Sequence, residues 1–156
     1  MKFLIFADSH RSIQNMIDAI EKNSYDCIVH LGDSIDDIEK IEKYRLISYD
    51  KTVYKISGNN DYVHFNAIKD IILNIKNKKI LLTHGHNYGV KYGYNRLVSY
   101  ANEINADIVL FGHTHFQDAF EKNNSLFLNP GSIGYSGTYV LLNVTENEIN
   151  YQLLTV

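Results

Sequence analysis

The chain has 156 residues, 15 Lys and Arg against 18 Asp and Glu, and a formal net charge of -3. That length suits one domain with its own core, so residues 1–156 are read as a single domain. No block of Lys or Arg is present. Tight nonspecific duplex binding rests on phosphate neutralisation, so this charge balance argues against it, although a local basic groove stays open. The lone Cys27 lies in an apolar stretch and reads as a small buried hydrophobe, consistent with a cytoplasmic protein without disulfides. A short apolar run straight after Lys2 predicts neither a signal peptide nor a membrane anchor.

In chain order, residues 1–7 read as a buried strand. Ser12 is a candidate N-cap for a helix with Ile13, Met16, Ile17 and Ile20 on one face. Residues 25–31 repeat the apolar run, and Ile35, Ile38, Ile41 and Tyr44 mark a second helix. A third strand follows over 52–57. Residues 70–75 and 79–83 suit a hairpin turning at Lys76-Asn77-Lys78. Residues 94–104 are helical by spacing and 107–111 a strand, and runs at 117–122, 125–128, 138–144 and 149–154 predict a β meander at the tail. Alternating βα units followed by strands predict an α/β fold with sheets sandwiched between helices.

Five of the apolar runs stop at similar chemistry: Asp8-Ser9-His10, Gly32-Asp33, Gly58-Asn59-Asn60-Asp61, His84-Gly85-His86 and Gly112-His113-Thr114-His115. Period-two alternation would point Asp8 and His10 the same way. Each motif alone is common as a turn or a loop histidine. Their recurrence at five strand ends is not, because ligands of open α/β sheets bind outside the carboxyl ends of the strands. Carboxylates, an amide oxygen and imidazoles are hard or borderline metal ligands. Asp8, His10, Asp33, Asn59, His84, His113 and His115 exceed the needs of one tetrahedral ion, and suit two divalent metals bridged by a shared carboxylate and a water.

The order and spacing of these blocks, with Asn129-Pro130-Gly131-Ser132 after the histidine pair, resemble the calcineurin-like metallophosphoesterase superfamily, and within it the small YfcE-type phosphodiesterases without a cap. The resemblance implies a four-layer α/β-β/α sandwich of two mixed sheets flanked by helices. It implies Asp8, His10, Asp33 and His115 around one metal and Asp33, Asn59, His84 and His113 around the other, with Asp33 bridging. The expected reaction is hydrolysis of a small phosphodiester by in-line attack of a hydroxide bridging the two ions. Asn59, a neutral ligand, leaves its metal a stronger Lewis acid. Asp61 is expected to orient His or Asn ligands, and His86 to contact substrate phosphate or support His84. Manganese is the expected activating metal, and nickel, cobalt, iron and zinc are compatible with the donor set.

Many superfamily members carry a histidine where this chain has Asn60. An amide cannot serve as a general acid near neutral pH, which predicts a preference for diesters with acidic leaving groups. Tyr88, Tyr92 and Tyr94 are candidate stacking residues, although with 12 tyrosines in the chain packing is the simpler expectation. Two rival readings remain: a nuclease of the superfamily, and a non-catalytic interaction scaffold such as the retromer subunit of this fold, in which Val63, Phe65 and Tyr135 would form a partner surface. His10 is replaced in that scaffold, so its presence here favours catalysis. A homo-oligomer is compatible with the sequence.

Overall fold

The computed structural model describes residues 1–61 and 68–156. Val63 and Phe65 lie outside the described residues. Strand β1 (Lys2–Phe6) leads to helix α1 (Ile13–Lys22), β2 (Cys27–His30) to α2 (Ile35–Lys43), and β3 (Thr52–Lys55) completes the alternating part. Then come β4 (Asp70–Ile75), β5 (Lys78–Thr83), two short 3-10 turns (His86–Tyr88 and Val90–Tyr92), α3 (Asn95–Glu103), β6 (Ile108–Leu110), β7 (Gln117–Lys122), β8 (Ser125–Pro130), β9 (Thr138–Val144) and β10 (Ile149–Thr155).

The strands form two five-stranded sheets, ordered β10-β9-β1-β2-β3 and β4-β5-β6-β8-β7. Both are mixed. β1 runs parallel to β2 and antiparallel to β9, while β6 lies parallel to both β5 and β8. Alternation divides each central strand between two cores. Phe3, Ile5, Cys27 and Val29 face Ile80, Leu82, Ile108 and Leu110 between the sheets. Leu4, Phe6 and Ile28 turn outward against Met16 and Ala19 of α1 and Ile38 and Ile41 of α2. On the far side Leu81, Val109 and Phe127 pack beneath Leu97 and Ala101 of α3. The layers are therefore helix, sheet, sheet, helix.

Several expectations are corrected. The tail is not a meander: β7 and β8 pair at the edge of the second sheet, whereas β9 and β10 return to the first. Hairpin signals are local and do not say which sheet a hairpin joins. Tyr44 is exposed at the end of α2 and takes no part in its buried face. Ser12 occupies the N-cap position of α1 without a side-chain capping bond. The hairpin at 76–77 turns on two residues, Lys76 (φ 51°) and Asn77 (φ 62°), so Lys78 belongs to β5. Positive φ at both central residues matches the twist of the flanking strands.

Candidate metal centre

All five loops that carry candidate ligands leave the carboxyl ends of β1, β2, β3, β5 and β6 and converge where the two sheets meet. Their backbones are unusual. Asp8 (φ 54°), His10 (φ 44°), Asp33 (φ 59°), His113 (φ 70°) and His115 (φ 63°) all occupy the left-handed region. Each such residue costs on the order of 1 kcal/mol and persists only where the surroundings enforce it. Asp8 and His10 thus converge through strained loop geometry, and the strand alternation expected from the sequence plays no part.

The surroundings are a lattice of side chain to backbone bonds. Asp61 accepts four backbone N–H groups: from Ser34 (2.7 Å) and Ile35 (3.0 Å) on one oxygen, and from Gly58 (2.8 Å) and Asp33 (2.9 Å) on the other. It therefore pins the Asp33 loop to the Gly58 loop and occupies the start of α2, a role different from the expected orientation of His or Asn side chains. Asn129 donates to Gly112 O (3.1 Å) and Thr114 Oγ1 (3.0 Å), which holds the loop of His113 and His115. Ser132 Oγ donates to Asp8 O (2.7 Å). A buried relay at the first sheet's helix face, His30 to Ser9 Oγ (3.2 Å) to Asp37 (2.8 Å), has no counterpart in the motif reading. Its signal was faint, a histidine inside an apolar strand and an aspartate four residues beyond Asp33.

The candidate ligand atoms fall into two groups that share Asp33: Asp8, His10, Asp33 and His115, then Asp33, His84 and His113, each with its donor atoms within 4.8 Å of one another. His10 Nε2 stands 3.3 Å from His115 Nε2, which stands 3.2 Å from Asp8 Oδ1. His84 Nε2 stands 3.1 Å from His113 Nδ1, 3.2 Å from Asn59 Oδ1 and 3.5 Å from Asp33 Oδ1. Donors about 2.1 Å from a common ion stand roughly 3.0–3.4 Å apart, so this spacing suits divalent cations. Asp8 Oδ1 is buried and has no hydrogen-bond partner among the described residues, while its other oxygen accepts from His113 N at 3.0 Å. One oxygen is thus anchored and the other left with lone pairs facing imidazoles. His84 Nδ1 lies 2.8 Å from Leu31 O and must donate to it, which leaves Nε2 as a lone pair turned into the cluster.

The titratable groups of the cluster shift in different directions. Burial, with His84 and Lys91 adding to it, pushes His113 down to about 4, so its imidazole is neutral at pH 7. Burial also lowers His86, helped by His84. His115 is raised, first by the Asp8 carboxylate that its Nε2 approaches at 3.2 Å, which favours the protonated ring. Burial works to raise Asp33, but His84 and two bonds from Asn60 outweigh it and hold the carboxylate low. Those bonds come from Asn60 N (2.9 Å) and Nδ2 (2.6 Å), so Asn60 faces Asp33. The His86 ring lies 5.3 Å from that of His84 and 6.1 Å from that of His113, with Nδ1 buried and without a partner among the described residues.

Of the candidate stacking tyrosines, Tyr88 stacks on Tyr100 (5.2 Å) and donates to Asp70 (2.8 Å). Tyr94 stacks on Phe120 (5.1 Å) and donates to Asp118 (3.1 Å). Both are committed to packing, and Tyr92 alone of the three is exposed. The sequence pattern passed over Phe116, exposed directly after His115.

A two-sheet α/β sandwich with an Asp, Asn and His cluster across its sheet ends defines a metallophosphoesterase. The calcineurin-like phosphoesterase superfamily domain matches residues 1–147, and the chain belongs to that superfamily. It is 32% identical over 141 residues to the probable metallophosphoesterase YsnB of Bacillus subtilis, covering 85% of this chain and 75% of that one. A structurally and functionally characterised archaeal phosphodiesterase superposes with a TM-score of 0.76 at 26% identity, covering 99% of this chain and 100% of the other. Wild-type Vps29 of Entamoeba histolytica, complexed with zinc, superposes with a TM-score of 0.81 at 23% identity over 98% of this chain and 91% of that one. At that identity the likeness concerns the fold.

Proposed function

We propose that residues 1–156 act as one metal-dependent phosphodiesterase domain, holding two divalent ions, with manganese as the activating metal. The observation that carries this reading is the pair of donor groups joined through Asp33. Asp8, His10, Asp33 and His115 would hold one ion, and Asp33, Asn59, His84 and His113 the other. When bound, such a pair supplies hydroxide near neutral pH for in-line attack on phosphorus and neutralises phosphoryl charge.

The protein's own groups prepare that site. Asn60, bonded twice to Asp33, keeps the carboxylate ionised and in place. His86 is neutral at pH 7 and partly exposed, so it orients a phosphoryl oxygen by hydrogen bonding and carries no charge to it. Asp61 acts as a positioning residue through the backbone of Asp33. With Asn60 directed at Asp33, no group at that position protonates a leaving oxygen, which favours diesters with acidic leaving groups over alkyl monoesters. The buried, unpaired Cys27 suits a cytoplasmic setting. Among the described residues no helix is long and apolar enough to cross a membrane.

The test is hydrolysis of bis-p-nitrophenyl phosphate against p-nitrophenyl phosphate by metal-stripped protein supplied with Mn²⁺, Ni²⁺, Co²⁺, Fe²⁺ or Zn²⁺. Metal-dependent turnover of the diester, slower turnover of the monoester, and loss of both in Asp33→Ala and His10→Ala are expected. Absence of turnover with every metal, in protein shown by calorimetry to bind two ions, would replace the enzyme with a metal-binding interaction scaffold.

A further inference from the structure

We propose that Tyr135 is the substrate platform of this site, and that the substrate is a phosphodiester bearing a nucleobase or similar flat aromatic group on one ester oxygen; the inference rests on the phosphodiesterase reading. The Tyr135 ring stacks on that of His10, with centroids 4.8 Å apart and planes at 28°, and lies 5.5 Å from the ring of His115. One face is therefore covered by a histidine of the cluster. Yet the side chain is 71% exposed. Among the described residues no other exposed tyrosine stacks on a histidine of the cluster.

The ring is also held in advance. Tyr135 N donates to Ser132 Oγ (3.0 Å), the same hydroxyl that donates to Asp8 O (2.7 Å), and Gly134 N donates to Asp8 O at 3.3 Å. Gly134 lies so close to Ser9 that a Cβ there would stand 2.2 Å from the Ser9 carbonyl oxygen. The turn carrying Tyr135 is thus fastened to the loop of Asp8 and His10, so the aromatic face keeps a fixed height above the cluster. An exposed aromatic ring that is already ordered loses little entropy on stacking, which is what a platform for a planar group requires. Stacking on an aromatic face is tolerant of which base is presented, so the platform selects a class of substrate and leaves the base identity open.

Titration calorimetry of Mn²⁺-loaded protein with AMP and with ribose 5-phosphate tests this without requiring turnover. The two probes share the phosphate and differ in the base. Wild-type protein is expected to bind AMP about tenfold or more tightly than ribose 5-phosphate. Tyr135→Phe keeps that ratio and Tyr135→Ala brings it close to one. Mn²⁺ titration of each apoprotein accompanies this, since a ring that merely positions His10 would change metal affinity and leave the ratio intact. Equal affinities in wild type, binding of neither probe, or a ratio unchanged in Tyr135→Ala would overturn the proposal. Failure of the phosphodiesterase reading would show separately, as absent diester hydrolysis with the AMP preference still present.

Discussion

Asp61 shows how one carboxylate sets the position of another. Its two oxygens each accept two backbone N–H groups, and all four donors belong to loops or the helix start around Asp33. In Asp61→Asn one oxygen becomes an amide NH₂ that meets two N–H donors head on, so the isosteric change is nearly as damaging as Asp61→Ala. Hydrogen bonds to a charged acceptor contribute about 1.5–3 kcal/mol each, and leaving buried donors unpaired costs further. Both variants are expected to lose at least about 3 kcal/mol in urea unfolding and to bind Mn²⁺ more weakly; an Asp61→Asn midpoint equal to wild type would show that water replaces the carboxylate. His30 makes a second prediction at this scale. Gly32 N donates to its Nδ1 at 3.3 Å, so its proton sits on Nε2 toward Ser9, and burial holds the ring down at about 4. The folded value lies below the unfolded one of about 6.5, so the unfolded chain takes up the proton first. Stability is then fully present above about pH 6.5 and is lost as pH falls toward about 4, at up to about 1.4 kcal/mol per pH unit. His113, lowered likewise, titrates in the same window. In EDTA-treated protein His30→Gln is expected to flatten the slope between pH 6.5 and 4 without removing it, and a slope unchanged from wild type would mean that His30 is not the group responsible.

Among the elements, the loops after β2 and β3 come into close contact at Gly58. A Cβ there would stand 2.1 Å from Asp33 Oδ1 and 2.4 Å from Asp33 N. Neither atom can yield, because Asp33 is tied by Asp61 and Asn60 at once. Gly58→Ala is expected to cost about 1–3 kcal/mol, the usual range for overpacking, and to weaken Mn²⁺ binding at least tenfold. Calorimetry showing wild-type affinity would mean that the two loops separate without consequence. The strands and helices around these loops were legible because apolar period and length carry them: Met16, Ile20, Ile38 and Ile41 are buried where the 3.6-residue pattern put them. The candidate ligands were legible by residue type and position at strand ends. Sheet membership of the last two hairpins was not, since it depends on β8 pairing with β6 and on β9 pairing with β1 across most of the chain. The wiring of Asp61, His30, Ser9 and Asp37 was equally hidden, because a side chain that bonds to a distant backbone leaves no period in the sequence. Tyr88 and Tyr94 show the same limit. Their ring partners, Tyr100 and Phe120, come from other elements and decide between packing and function.

For the whole molecule the consequence lies in where the donors come from. Asp8, His10, Asp33 and Asn59 follow strands of the first sheet, while His84, His113 and His115 follow strands of the second. Each donor group includes residues from both sheets. Cations held there would draw the two sheets together at the edge where Asp8, His10, Asp33, His113 and His115 have positive φ, and would stabilise the fold only through the folded state, since the donors are scattered in the unfolded chain. At a hundred times its dissociation constant a ligand contributes about 2.7 kcal/mol, enough to raise the melting temperature by several degrees. EDTA-treated protein is therefore expected to melt lower than protein supplied with Mn²⁺. Amide exchange should slow on metal addition in the loops near residues 8–11, 32–34 and 58–61 and, equally, in those near 84–86 and 112–116. Exchange that slows in the loops of one sheet alone would place the metal within that sheet and remove the shared role of Asp33, because a carboxylate that bridges two cations must couple the donors on both sides of the interface.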